Sequence, residues 1–182
     1  MKIEIKSRYS GKVLFSAKTE HLKLCLELAV KSGAYLRSAD LRSAYLAGAD
    51  LRGADLRSAN GINKYLTTNL YILKDQIGKI RAYKLTCADG TGPYYHDITY
   101  KVGESYSVDG ADCNEQKQCA EGISLVTLDW CIKEWKKGYR IFVAEFTAKD
   151  IAAIPIGSDG KFRVKRCKIV AEKDLKEVGI TD

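Results

Sequence analysis

The chain has 182 residues, of which 46% are hydrophobic and 29% charged, with 30 basic residues against 23 acidic ones. This composition is ordinary for a globular protein and excludes wholesale disorder. The net charge of +7 opposes any imitation of DNA, which needs an acidic surface. No apolar run in the sequence is long enough to span a bilayer, and the N-terminus lacks a signal-peptide core, so we expect a cytoplasmic protein with no membrane contact.

Residues 1–33 predict a β-hairpin followed by an amphipathic helix. Residues 2–6 alternate charged and apolar side chains, and Ser10-Gly11 supplies a turn before residues 12–15. Apolar side chains at positions 22, 25, 26, 29 and 30 then recur at helical spacing, and Gly33 is an expected helix stop. We expect this segment to be an N-terminal cap for the residues after Gly33.

Residues 34–60 repeat with a period of five. Leucine recurs at 36, 41, 46, 51 and 56, and alanine at 34, 39, 44, 49, 54 and 59. Neither a helix nor a strand keeps such positions on one side, so the chain must turn a corner in each unit. Small residues suit those corners, namely Ser38, Ser43, Gly48, Gly53 and Ser58. The side chains expected to point outward include several arginines beside aspartates, so we expect a solvated surface on which these opposite charges offset each other. These arginines are Arg37, Arg42, Arg52 and Arg57.

The quintets AYLRS, ADLRS, AYLAG, ADLRG and ADLRS resemble pentapeptide-repeat proteins. That resemblance implies a right-handed four-sided β-helix, of which this stretch supplies little more than one coil. So short a stub needs a cap, and its open end is expected to pack or self-associate, which predicts a homo-oligomer.

Residues 62–182 predict an α+β domain with a mainly antiparallel sheet. Strands are indicated at 70–73, 80–85, 140–146, 151–156 and 161–170, and a helix at about 128–137. Residues 161–168 hold five basic side chains within eight positions, the densest cluster of charge in the chain. The predicted fold is thus mixed, with a hairpin-and-helix cap at 1–33, a β-helix stub at 34–61 and an α+β domain at 62–182.

The segments CAEGISLVTLDWCIKEW, DIAAIPIGSDGKFRV and IRAYKL resemble an uncharacterised domain that follows short pentapeptide repeats in bacteriophage proteins. The resemblance implies a phage or prophage origin and a location in the host cytoplasm. It implies no activity, so it supplies no catalytic residues.

The titratable residues give no pattern typical of catalysis or metal binding. The six cysteines, at 25, 87, 113, 119, 131 and 167, include no C-x-x-C pair and are expected to be reduced thiols. His21 and His96 do not stand at zinc spacing, and no Walker, Rossmann, G-x-S-x-G or H-E-x-x-H motif is present. We therefore expect no metal, no cofactor and no catalytic residues.

A binding site is easier to assemble from these residues. Aromatic and imidazole groups at Tyr94, Tyr95 and His96 can stack and donate hydrogen bonds. Lys101, Arg140, Arg163 and Lys165 can contact phosphate, and an exposed Trp130 would mark a contact surface. These eight residues are the predicted site for a small anionic, nucleotide-like ligand.

The leading hypothesis is therefore a non-enzymatic phage-type binding protein that holds a small anionic ligand or a host protein and counteracts host defence. Two alternatives stay open: an enzyme that processes nucleotides or modifies a host protein, and nucleic-acid binding through the basic strand, which the moderate charge disfavours. Topoisomerase inhibition by DNA mimicry is excluded by the short repeat and the basic charge.

Overall fold

The computed structural model describes residues 1–42, 44–46, 49–51, 54–56 and 58–180. They form two compact units. Unit 1 comprises Met1–Leu70, Asn114–Cys119 and Pro155–Asp159, and unit 2 comprises Tyr71–Cys113, Ala120–Ile154 and Gly160–Asp182. The domain boundaries expected from the sequence stay a prediction.

Unit 1 begins with the hairpin and helix that the sequence predicts. Strands β1 (Lys2–Lys6) and β2 (Val13–Lys18) pair in an antiparallel two-stranded sheet. Helix α1 (Leu22–Lys31) comes next and buries Cys25, Leu26 and Ala29. These side chains join one core with the repeat leucines, so the helix and the repeat are stabilised by the same apolar cluster.

The predicted fold class, with its four-sided β-helix, is wrong. The described residues of the repeat contain no strand, and their bridges are isolated ones, such as the parallel bridge between Asp40 and Asn60. Each quintet instead closes a turn, in which the carbonyl oxygen of the leucine accepts a hydrogen bond from the backbone N–H of the alanine three positions later. A solenoid gains its strand pairing from stacked coils, and a repeat this short supplies almost none.

The repeat nevertheless buries its leucines as its period requires. All five, Leu36, Leu41, Leu46, Leu51 and Leu56, are at most 2% exposed. Ser38 and Ser58 adopt positive φ angles of 63° and 57°, as expected of residues that turn a corner. The corners predicted at Ser43, Gly48 and Gly53, and the arginines at 52 and 57, lie outside the described residues.

Two distant segments complete unit 1. The backbone N–H of Ile156 donates to the carbonyl oxygen of Glu115 at 2.8 Å, and Nζ of Lys64 lies 2.7 Å from Oε2 of Glu115. The N–H of Gly157 donates to Oγ1 of Thr67 at 3.1 Å. Gly157 has a φ of +71°, and a Cβ there would lie 2.6 Å from Cβ of Leu51, so only glycine fits against the repeat at this point.

Unit 2 is built on a seven-stranded antiparallel sheet. In chain order its strands are β3 (Lys79–Thr86), β4 (Ser105–Ser107), β5 (Ile123–Val126), β6 (Arg140–Thr147), β7 (Ile151–Ala153), β8 (Lys161–Val164) and β9 (Arg166–Glu172). Their order across the sheet is β4-β9-β6-β3-β5-β8-β7. Helix α2 (Leu128–Glu134) comes after β5, and short 3-10 helices of this unit span Ala148–Asp150 and Lys176–Val178. Two more 3-10 helices, Lys64–Leu66 in unit 1 and Asn69–Asp75 at the boundary of the two units, precede β3.

The sheet of unit 2 must curl round on itself. Strands β8 and β9 are separated by Lys165 alone, yet three strands lie between them in the sheet. A flat sheet would hold them about 19 Å apart, which one linking residue cannot span. The rings of Phe146 on β6 and Phe162 on β8 lie 5.5 Å apart, as expected across a curled sheet. The inner face is therefore enclosed.

Side-chain alternation divides the residues of β3 between the two faces. Ile80, Ala82 and Lys84 lie on the enclosed face and are buried. Leu85 lies on the opposite face, in a cluster with Cys131 of α2. Strand β3 thus carries the charged side chain of Lys84 into the interior of unit 2, beside apolar neighbours.

Candidate functional site

The structure distributes the eight predicted site residues over several environments. Tyr94 and Tyr95 are 67% and 66% exposed. His96 is exposed beside them, with Nδ1 3.0 Å from Oγ1 of Thr91. Lys101 is exposed, and its backbone N–H donates to the hydroxyl oxygen of Tyr106 at 2.7 Å.

Of the remaining four predicted residues, three are less accessible to a ligand than the sequence suggests. Trp130 is partly buried against the apolar cluster of α2, so it is not the exposed contact that was predicted. Arg140 is paired with Glu172 through two hydrogen bonds of 2.8 and 2.6 Å. Arg163 is only 1% exposed, and its Nε donates to the carbonyl oxygen of Asp112 at 3.1 Å. Lys165 is the exception and is exposed in the link between β8 and β9.

The single strand predicted at 161–170 is wrong, because the chain changes partner strands at Lys165 and forms β8 and β9 instead. Phe162 and Val164 are buried, and Arg163 is directed to the other side, where Asp112 covers it. The basic residues of β8 and β9 therefore do not form one continuous surface.

A groove of about 530 Å³ lies on unit 2 along β4, β9 and the end of β6. We call it the basic groove. It is lined by Lys79, Ser105, Tyr106, Ser107, Glu145, Phe146, Thr147, Asp150, Arg166, Cys167 and Lys168. None of the eight predicted residues lines it, but Arg166 and Lys168 belong to the basic cluster at 161–168.

A buried carboxylate fixes the most prominent cation of the basic groove. Asp150 is 5% exposed, and its Oδ2 accepts hydrogen bonds from the N–H and the hydroxyl of Thr147 at 2.8 and 2.6 Å. Its Oδ1 accepts from Nε of Arg166. Burial alone would raise the pKa of Asp150, but the hydrogen bonds from Thr147 and Arg166 outweigh it and lower the pKa.

Arg166 uses only Nε in this pair, and its side chain is 70% exposed. Because strand side chains alternate, Lys168 leaves β9 on the same side. Lys168 makes no ion pair in the part of the chain that the structure describes. Two cations are thus presented to solvent at neighbouring positions.

The second carboxylate of the basic groove is already neutralised. Oε1 of Glu145 lies 2.7 Å from Nζ of Lys79, and Oε2 lies 3.7 Å from Nη2 of Arg81. Lys79 above all lowers the pKa of Glu145. Both carboxylates therefore stay ionised and paired, and the surplus charge in the groove is positive.

An aromatic residue bounds the basic groove on the β4 side. The hydroxyl of Tyr106 lies 2.8 Å from Oε2 of Glu104 and 3.0 Å from the carbonyl oxygen of Thr99. Its ring packs on Tyr100 at a centroid distance of 4.8 Å. Tyr106 is therefore held rigidly, which suits a residue that shapes one side of a binding surface.

The sequence carried a partial signal for this groove. The cluster at 161–168 contains Arg166 and Lys168, but the pairing of Arg166 with Asp150 joins residues 16 positions apart on different elements. Only the fold reveals which cations of the cluster are exposed. Among the described residues, no group of three or more His, Cys, Asp or Glu side chains could hold a metal ion.

Comparison with known proteins identifies the repeat and leaves the rest of the chain unassigned. Residues 32–60 match the family model of pentapeptide repeats, with eight copies, which confirms the prediction for that segment. No curated protein and no solved structure matches the chain. In the described part of the chain, no helix has both the length and the apolar character needed to cross a membrane.

Proposed function

We propose that unit 2 is a non-enzymatic binding module that holds a small anionic ligand, such as a nucleotide, in the basic groove. The observation that carries the proposal is the exposed guanidinium of Arg166, fixed at Nε by the buried carboxylate of Asp150. A guanidinium held in this way loses little conformational freedom when it binds phosphate or carboxylate.

The neighbouring groups support the same ligand class. Lys168 adds a second positive charge, and the hydroxyls of Ser105 and Ser107 can donate hydrogen bonds to anionic oxygen atoms. The groove is open, so the ligand would retain part of its hydration.

Calorimetric titration against a panel of nucleoside mono-, di- and triphosphates and cyclic nucleotides tests this proposal. We expect binding by at least one member of the panel and a loss of about 10- to 100-fold on Arg166→Ala, because a hydrogen bond to a charged group contributes about 1.5–3 kcal/mol. Lys165→Ala is the matched control, since Lys165 is an exposed cation next to Arg166 in sequence but outside the groove.

The outcomes are distinct. Absence of binding by the whole panel, or an equal loss in the Arg166 and Lys165 variants, would contradict the proposal. Binding of single-stranded DNA that weakens steeply with salt would instead favour the nucleic-acid hypothesis. Chemical conversion of a bound nucleotide, abolished by His96→Ala, would favour the enzyme hypothesis.

We extend the proposal to the role expected from the phage resemblance, which is sequestration of a nucleotide signal of host defence in the host cytoplasm. Cyclic nucleotides are in the panel for this reason. Self-association through the repeat-bearing unit is part of the same proposal, and sedimentation velocity over a range of concentrations measures it.

A further inference from the structure

Strand β4 forms one edge of the seven-stranded sheet, and this edge is accessible to solvent. Ser105 and Ser107, at the two ends of the strand, are both exposed. The strand at the opposite edge, β7, is different, because all three of its residues are buried. An accessible edge strand is a template on which another chain can pair.

The hydrogen bonds between β4 and β9 show which way the backbone groups of β4 point. The N–H of Ile169 donates to the carbonyl oxygen of Glu104 at 2.9 Å. Beyond the other end of β4, the N–H of Val108 donates to the carbonyl oxygen of Lys165 at 2.8 Å. Both groups of β4 that take part lie an even number of residues apart, so the even-numbered residues of this stretch point their backbone toward β9.

The backbone groups of Ser105 and Ser107 therefore point away from β9, toward the open side of the sheet. In the described part of the chain, these groups make no hydrogen bond with any other segment. Two N–H donors and two carbonyl acceptors thus stand in a row at this edge, with the spacing that an added strand requires.

The sheet face beside this edge is basic. In the register of β4 and β9, Ser105 lies opposite Lys168 and Ser107 lies opposite Arg166, so the four side chains share one face. Serine is small, and the flexible stem of Lys168 can therefore extend across β4 to a neighbouring strand. The guanidinium of Arg166 stays on Asp150 and adds to the positive potential at this face.

We propose that β4 binds an extended acidic segment of a partner protein, which adds to the sheet as a further strand antiparallel to β4. The main chain of the segment pairs with Ser105 and Ser107. Acidic side chains at the two positions opposite these serines lie on the same face as Lys168 and Arg166. Main-chain hydrogen bonds supply the affinity, and the two cations supply the preference for acidic residues.

The same charges disfavour a second copy of this chain as the occupant. Pairing of β4 with β4 of another copy would bring Arg166 and Lys168 of both molecules to one face of a joined sheet, or to neighbouring strands, without added carboxylates between them. Like charges placed together across an interface oppose association. The partner is therefore expected to differ from this chain and to carry negative charge at alternate residues.

Fluorescence anisotropy with labelled heptapeptides tests the charge preference on the intact wild-type protein. The acidic probe has the sequence TVEVEVT and the matched basic probe has the sequence TVKVKVT, both with blocked ends. We expect the acidic probe to bind at least about tenfold more tightly, because its two carboxylates replace two like charges beside Lys168 and Arg166. Equal affinities, or no binding of the acidic probe, would overturn the proposal.

N-methylation of the acidic probe tests the main-chain pairing. In the antiparallel arrangement the N–H groups of the two glutamates donate to the carbonyl oxygens of Ser105 and Ser107, whereas those of the valines point to solvent. Methylation of both glutamate nitrogens should weaken binding by about tenfold or more, since two hydrogen bonds are lost. Methylation of two valine nitrogens should change affinity much less, and equal losses would show that the edge of β4 is not the binding surface.

A pair of variants separates this inference from nucleotide binding in the basic groove, on which it does not rest. Ser107→Pro removes the outward N–H, at a position where an edge strand tolerates proline, and Ser107→Ala removes only the hydroxyl. We expect Ser107→Pro to weaken binding of TVEVEVT by about tenfold and Ser107→Ala to leave it unchanged. Equal affinities of the two variants for the peptide would contradict the proposal, whatever the nucleotide titration shows.

Discussion

Replacing Lys84 by methionine should stabilise the protein at neutral pH. The pKa of Lys84 falls from 10.5 to about 8 because of burial, which corresponds to about 3 kcal/mol of unfavourable free energy when the folded chain carries the charge. Methionine has a similar length and no charge. The carbonyl oxygen of Ser124 loses its side-chain donor in the variant, at a cost of about 1 kcal/mol. The expected net gain at pH 7 is therefore about 2 kcal/mol.

The pH dependence of this gain identifies its cause. Below the folded pKa of about 8, both the folded and the unfolded chain carry the charge, so the full cost of burying it is present. Between pH 8 and 10.5 the folded chain binds fewer protons than the unfolded chain, and wild-type stability rises with pH relative to the variant. The advantage of methionine should fall by about 2 kcal/mol between pH 7 and about pH 9.5.

Urea unfolding followed by tryptophan fluorescence measures both quantities, because Trp130 and Trp135 are partly buried in unit 2. Lys137→Met, at an exposed position of the same unit, is the control and should change the free energy of unfolding by less than about 0.5 kcal/mol. A Lys84→Met variant that is less stable than wild type at pH 7, or whose advantage does not change with pH, would refute the reasoning.

Two predictions concern the core of unit 1. Gly157→Ala should lower the free energy of unfolding by about 3 kcal/mol or more, because the new Cβ would lie 2.6 Å from Cβ of Leu51. Gly33→Ala, at a similar positive φ but in open space, should lower it by only about 1–2 kcal/mol. Equal losses in thermal unfolding would exclude the steric cause. Leu41→Ala should lower the free energy of unfolding by about 2–5 kcal/mol, because Leu41 is fully buried. Leu28→Ala should lower it much less, since Leu28 is 44% exposed. Similar losses in the two variants would show that the repeat leucines are not a packed core.

Local patterns were sufficient to predict the elements that depend on neighbouring residues. The alternation at 2–6 and the helical spacing from Leu22 gave β1 and α1. The same alternation in β3 places Lys84 on the face of Ile80 and Ala82, so its burial could have been inferred from the segment IRAYKL. The period of five correctly predicted that the five leucines of the repeat are buried.

The features that the sequence did not predict depend on tertiary contacts. Strand pairing in the repeat requires neighbouring coils, which so short a segment lacks, so turns replace the expected β-helix. The change of partner strands at Lys165 determines that Arg163 is covered while Arg166 is exposed. The pairing of Arg166 with Asp150 joins two elements, and no local pattern specifies it.

The composition of unit 1 from three separate stretches of chain has a consequence for biosynthesis. Residues 114–119 and 155–159 supply contacts to its first 70 residues, including those of Glu115 and Gly157. During translation the N-terminal stretch must therefore wait, with part of its apolar surface uncovered, until most of the polypeptide has left the ribosome. Expression of the first 70 residues alone would leave uncovered the apolar surface on which Ile156 and Gly157 pack.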